Sequence, residues 1–262
     1  MDTLSLSQFD LVYNSFSLCI ACMGACALFL VAAKQQVRHE YRPALLVSAV
    51  VVAVACYHYI RIFTSWGHAY ALQGDMYVAT GVPFNDAYRY ADWLLTVPLL
   101  MVELIAVLAL SRSKSGGLFA KLSIAAVLMI VTGYPGEVSS VTSTKLMWGT
   151  ISTVPFLYIM YVLWVELSRA MGDQPGQVGV LMRNLRLLIL GTWGVYPIAY
   201  LAPVMGFSGA GSMVTLQVGY TIADITAKAG MGLMIYAIAR EKTLAAGGVE
   251  NGAAGMVPAP AE

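Results

Sequence analysis

Charge is what this sequence has least of. Only 11% of its 262 residues are Asp, Glu, Lys or Arg, and the formal net charge is +1, whereas a soluble domain carries about 25% charged residues. That scarcity excludes an ordinary water-facing surface. No basic stripe exists outside the short connections, so a nucleic-acid partner is excluded as well. Histidine occurs three times and cysteine four times. Cys19, Cys22, Cys26 and Cys56 all fall inside apolar runs. The first three share a helix face, but no His or acidic residue in that run completes a metal set, so they read as small apolar packing. The chain also lacks a phosphate-cradling glycine loop and a nucleophile–base pair facing water. No enzyme with chemical substrate turnover is expected.

Apolar length is what the chain has instead. It is 59% hydrophobic with a mean hydropathy of +0.72, and a bilayer is spanned by about 20 mostly apolar residues in a helix. Suitable windows lie at 10–33, 43–66, 88–111, 119–140, 146–169, 181–204 and 212–240. Several contain Gly or Pro, which spanning helices tolerate better than soluble ones do. The expected fold is an all-α membrane protein, a seven-transmembrane-helix bundle over 1–244. A Gly/Ala/Pro-rich cytoplasmic tail at 245–262 is expected to be disordered. The first apolar run starts late and is long enough to span, so a cleavable signal is not expected. The connection at 67–86, "GHAYALQGDMYVATGVPFND", reads equally as a short hairpin or an ordered loop.

Of the fifteen Lys and Arg residues, eleven lie in the connections after the first, third and fifth spans or around the end of the seventh: Lys34, Arg38, Arg42, Arg112, Lys114, Lys121, Arg169, Arg183, Arg186, Arg240 and Lys242. The opposite connections hold only Lys145, with Arg61 and Arg89 near helix ends. Positive residues stay inside, so the N-terminus is expected to be extracellular and the C-terminus cytoplasmic.

Against this background the intramembrane ionisable residues stand out, because each costs several kcal/mol unless paired or hydrated. They are His58 in the second span, Asp92 and Glu103 in the third, and Asp224 and Lys228 in the seventh. Asp224 and Lys228 are four apart and share a helix face. A lysine at mid-membrane needs a nearby anion to stay charged, and when uncharged it is a nucleophile suited to a carbonyl compound. Asp92 and Glu103 are eleven apart, which at 100° per residue returns them to nearly the same face, roughly 16 Å apart along the axis. Thr96 lies one turn inward of Asp92 on that face. Two carboxyls on one stripe, either side of the membrane middle, look like stations for a proton entering and leaving a central site.

"RYADWLLTVPLLMVEL" in the third span, "WGVYP" in the sixth and "DITAK" in the seventh resemble the microbial (type I) rhodopsins, and the resemblance covers residues 10–240. It implies all-trans-retinal bound covalently to Lys228 as a protonated Schiff base. Asp92, Thr96 and Glu103 occupy the three positions that mark the transported ion, and they are similar to those of the bacterial outward proton pumps, the proteorhodopsins and xanthorhodopsins. On that resemblance Asp92 is proton acceptor and counterion, Asp224 a second counterion and Glu103 the cytoplasmic proton donor. Chloride pumps lack a carboxylate at the Asp92 position, and sodium pumps shift their acid to the Thr96 position. Arg89 resembles the arginine on the proton-release side, and His58 the histidine that tunes the acceptor's proton affinity.

The same resemblance names a pocket. Trp93 and Trp193 would sandwich the polyene, with Tyr196 and Pro197 beside it. Met129, Gly133, Ser152 and Thr153 would meet its ring end. Leu100 is similar to the green-absorbing type. Gly149 stands where many members have a bulky Trp, as in the xanthorhodopsins, whose glycine opens a window for a carotenoid antenna. Close helix packing is the other use of a glycine there. The expected function is thus a light-driven outward proton pump in a bacterial cytoplasmic membrane, working in the lipid bilayer as a homo-oligomer, trimer or pentamer. Two other readings stand beside it: a photosensory rhodopsin signalling through a partner protein, and a chromophore-free transporter using the same acids as a relay.

Overall fold

In lipid only intrasegment hydrogen bonds satisfy the backbone, so each apolar run becomes a helix. The structure, a computed structural model, describes residues 2–108, 112–139, 141–172, 174 and 176–249, without the side chains of 107, 108 and 112–114. Two expectations lie outside the described residues: the basic side chains of Arg112 and Lys114, and tail positions 250–262.

The helices are α1 (Leu6–Ala33), α2 (Arg42–Ala69), α3 (Tyr88–Leu108), α4 (Arg112–Glu137) and α5 (Thr142–Gly172), followed by α6 (Gln177–Trp193), α7 (Val195–Leu201), α8 (Gly209–Asp224) and α9 (Met231–Ala245). α6 and α7 form one span and α8 and α9 another, which makes seven. Six of these spans are long and apolar enough to cross a membrane. The third, α3, carries Arg89, Asp92 and Glu103 and completes the bundle.

Two spans are interrupted, the first of them at a proline. Pro197 has no N–H for the Trp193 carbonyl one turn back, and the helix breaks between them at Gly194. In the seventh span, Ile225–Gly230 forms a π-helical turn between α8 and α9, with Lys228 inside it. Such turns occur mostly at functional sites.

The connection at 67–86 settles as a hairpin of β2 (Tyr70–Gln73) and β3 (Met76–Ala79). The N-terminal β1 (Leu4–Ser5) joins it in the order β1-β3-β2, all antiparallel. Phe9 stacks on Tyr77 with ring centroids 3.7 Å apart, and Ser5 and Gln8 cap α1 reciprocally. The chain start and the hairpin therefore seal the same end of the bundle, called here the hairpin end.

The burial pattern is that of a protein solvated by lipid. Leu28, Val154 and Tyr161 face outward, whereas Ser48, Arg89, Asp92, Thr96, Glu103, Asp224 and Lys228 are buried.

Candidate functional site

The interior polar residues gather around one lysine. Lys228 Nζ lies 2.5 Å from Asp224 Oδ1 and 2.9 Å from Asp92 Oδ2, and all three side chains are at most 2% exposed. The i,i+4 spacing brings Asp224 to the lysine, while α3 delivers Asp92 from across the bundle. Two buried carboxylates on one ammonium leave a net negative charge. Arg89, also buried, lies within electrostatic reach of Asp224 and Asp92. With it the group sums to zero, which is how such a cluster survives burial.

The two carboxylates are held differently. Asp224 accepts from Tyr59 Oη at 2.7 Å, from Tyr196 Oη at 2.7 Å and from Trp93 Nε1 at 3.3 Å, besides the lysine. Asp92 has the Lys228 ammonium 2.9 Å from its Oδ2 and, among the described residues, no other side-chain donor. Thr96 does not serve it either: its hydroxyl donates to the Asp92 backbone carbonyl at 2.9 Å.

Arg89 points towards the hairpin end. Its guanidinium lies 5.7, 5.9 and 5.2 Å from the ring centroids of Phe16, Tyr59 and Tyr220. Asp86 is 4.0 Å away, and none of the three guanidinium nitrogens has a hydrogen-bond partner among the described residues. His58 is buried with Nδ1 unpartnered, and no hydrogen bond joins it to Asp92. It sits among the site's charges, with Lys228 and Arg61 as its electrostatic neighbours.

Glu103 lies apart, towards the other end of α3. It is fully buried, with Ser48 of α2 hydrogen-bonded to its Oε2 and, among the described residues, nothing bonded to Oε1.

Beside the lysine a cavity, open at one side, runs from the seventh span to α4 and α5. All eleven residues assigned to a cofactor from the sequence line it: Lys228, Trp93, Leu100, Met129, Gly133, Gly149, Ser152, Thr153, Trp193, Tyr196 and Pro197. Ser152 Oγ donates to the Met129 carbonyl at 2.7 Å, and a Cβ at Gly133 would lie 3.2 Å from that same oxygen. The glycine is what lets α4 and α5 approach there.

Gly149 behaves differently from an open window. A Cβ there would lie 2.6 Å from Cε1 of Tyr200, so the ring of Tyr200 fills the space the glycine leaves. Sequence reasoning missed this tyrosine, along with the lining residues Tyr90, Val97, Ile130, Phe156, Tyr220 and Ala227. It also missed Tyr59 and Ser48. Tyr59 was adjacent to a residue already singled out, and Ser48 was a lone hydroxyl in an apolar run, so both left a signal. Tyr200 left none, because its partner glycines lie on two other helices.

Comparison with known proteins agrees across the whole bundle. The profile of the bacteriorhodopsin-like protein family matches residues 11–242. The green-light absorbing proteorhodopsin of a gamma-proteobacterium is 30% identical over 237 residues, 89% of this chain and 88% of that protein. Among solved structures, xanthorhodopsin, described as a light-driven ion pump with dual chromophore, is 51% identical with a TM-score of 0.90, covering 94% of this chain and 99% of that one. A thermophilic rhodopsin is 47% identical with the same TM-score and the same coverage of each chain.

Proposed function

The chain belongs to the bacteriorhodopsin-like protein family, and on that premise we propose that it is a light-driven pump that moves protons outward across a cell membrane. It is a microbial rhodopsin and a multi-pass membrane protein, and its family implies a retinal chromophore. The cavity fits that group: a buried lysine opens into an apolar slot walled by Trp93 and Trp193, with small residues at the far end. When bound through Lys228, retinal supplies light absorption and a bond rotation that redirects the lysine nitrogen.

The rest is done by the chain's own residues. Asp92 takes the proton leaving the Lys228 nitrogen. Its carboxylate lies 2.9 Å from Nζ, within direct transfer distance, and among the described residues no other side chain donates to it. Asp224, already served by Tyr59, Tyr196 and Trp93, stays charged and keeps a negative field on the nitrogen. Arg89, a permanent cation beyond Asp92 towards the hairpin end, repels a proton held there and so favours its release on that side. Glu103 holds a proton in its dry site and returns it to the nitrogen from the opposite side. His58 modulates Asp92 through the field of the site, since no hydrogen bond links them. In this reading the hairpin end faces outside and the helix ends carrying Lys34, Arg169 and Arg240 face the cytoplasm.

The single observation that carries the reading is Lys228 held between a donor-starved and a donor-rich carboxylate, with a third carboxyl buried on the other side. The test is external pH in an unbuffered suspension of retinal-fed cells under light. Acidification abolished by a protonophore is expected. Coloured cells with a flat pH sink the pump and leave a photosensor. Alkalinisation enhanced by the protonophore means that another ion is moved.

A second chromophore, a carotenoid, belongs to the finer reading. It is supported by the 51% identity to xanthorhodopsin, a dual-chromophore pump, and by Gly149 in the cavity wall. An action spectrum of acidification with an added carotenoid band supports it, and one that follows retinal absorption alone removes it.

A further inference from the structure

Of the residues that line the cavity, Thr153 alone is exposed on the outer surface of the bundle. The lysine end is closed, because Lys228, Asp92 and Asp224 are buried and the Arg89 side beyond them is packed with aromatic rings. The cavity's mouth therefore lies between α5 and α7, where Gly149 and Thr153 face Pro197 and Tyr200. Outward-facing side chains around it are apolar, as at Leu146 and Ile198, so the mouth meets lipid and not water.

Tyr200 stands in that mouth, and the surroundings are built to its shape. A Cβ at Gly149 would come within 2.6 Å of its ring, and a Cβ at Gly136 within 1.9 Å of its hydroxyl oxygen. Two glycines on two helices thus form a notch that any side chain would destroy. The hydroxyl donates to the Lys145 carbonyl at 2.7 Å. Lys145 Nζ lies 4.9 Å from the ring centroid and is itself tied to Glu137, donating to its carbonyl at 3.2 Å and lying 3.9 Å from its carboxylate. A latch this specific is more than packing needs. It is also light, a single neutral hydrogen bond on a side chain that swings about two bonds.

We propose that Tyr200 is the gate of a lateral passage through which retinal reaches Lys228 from the bilayer. Seated in the Gly136–Gly149 notch it closes the mouth, and release of its hydroxyl from the Lys145 carbonyl opens a path past Thr153. The inference rests on the reading that Lys228 carries retinal.

The test uses the full chain, retinal-free, in liposomes, with saturating retinal added to the lipid. The rate of growth of the visible absorption band is recorded beside the Tm of the retinal-free protein. Tyr200→Phe keeps the ring and removes the latch, so pigment is expected to form roughly fivefold faster, the factor one hydrogen bond supplies. Ile198→Trp places a bulky side chain on the lipid side of the mouth, outside the cavity lining, and is expected to slow pigment formation at least tenfold while the final band still develops. Tyr200→Phe and Ile198→Trp both forming pigment at the original rate, with Tm retained, overturns the gate and leaves the pump reading intact. No pigment in the unmodified protein overturns the role of Lys228 and the gate with it.

Discussion

Asp224 and Glu103 are both fully buried carboxyls, yet four side chains donate to the first and, among the described residues, Ser48 alone bonds the second. The hairpin-side half of the bundle solvates its acids with protein dipoles, cations and aromatic faces. Around Glu103 the one hydrogen-bonding side chain among the described residues is that of Ser48. A buried charge without such compensation is expensive, whereas a neutral carboxyl needs only a hydrogen bond or two. On the proposed reading the first half holds charges and the second a stored proton. A pump needs this asymmetry, because a proton must fall from one kind of site to the other and not hover between two alike. Asp92 lies at the junction: it has the cation of the first half and the missing donors of the second.

Removing the junction's cation should have the largest effect. Lys228→Ala deletes the attachment point and leaves Asp92 and Asp224 as neighbouring unpaired anions. No visible pigment and no light-driven acidification are expected. A retinal-dependent visible band at normal intensity in this variant would end the whole reading. Next is Asp92→Asn, which keeps the shape but deletes the acceptor. Proton transfer by a placed group is worth roughly 10²–10⁴ in rate, and the upper part of that range is expected for light-driven pH change. The pigment should still form, with a shifted band, because Asp224 remains beside the lysine. Full pumping by this variant would hand the acceptor role to another group.

Glu103→Gln probes the dry half. The pigment and the first proton transfer should survive, and the return of the original absorbance after a flash should slow by about 100-fold. The decisive pattern is the split: Asp92→Asn acts on the early phase and Glu103→Gln on the late one. If both variants slow the same phase, the two halves do not have separate tasks.

How far the sequence reached follows from the physics of each feature. Seven spans were legible because the bilayer imposes a length and a polarity on every helix. The Asp224–Lys228 pair was legible because i,i+4 spacing is a local rule, and the pocket residues came from motif resemblance. Cross-helix partners were not legible. Tyr59 reaches Asp224 and Tyr200 reaches the Gly136–Gly149 notch only after three-dimensional packing. The hairpin was one of two open choices, decided by pairing with a strand at the chain's start, more than sixty residues away. The resemblance placed His58 beside the acceptor, but the side chain approaches the site without bonding to Asp92. The π turn at Lys228 has no signature in "DITAKAG" that separates it from ordinary helix.

The smallest effect should come from Ser48, and it sharpens the comparison most. Ser48→Ala removes the one hydroxyl that bonds Glu103 while leaving the acid in place. In the hairpin half, losing one of several donors to Asp224 would be absorbed by the rest. Among the described residues nothing else is bonded to Glu103, so the full worth of one hydrogen bond, about 1 kcal/mol, should appear in the late step as roughly a fivefold change in rate. The direction separates two roles. If the hydroxyl holds the acid's proton in place, its loss speeds donation; if it stabilises the carboxylate left behind, its loss slows donation and makes reprotonation of Glu103 limiting. Flash-induced absorbance recovery at several pH values distinguishes them, because only the second makes the late phase follow bulk proton concentration. A late phase unchanged in both rate and pH response would mean that Ser48 merely packs, and that Glu103 works without any partner.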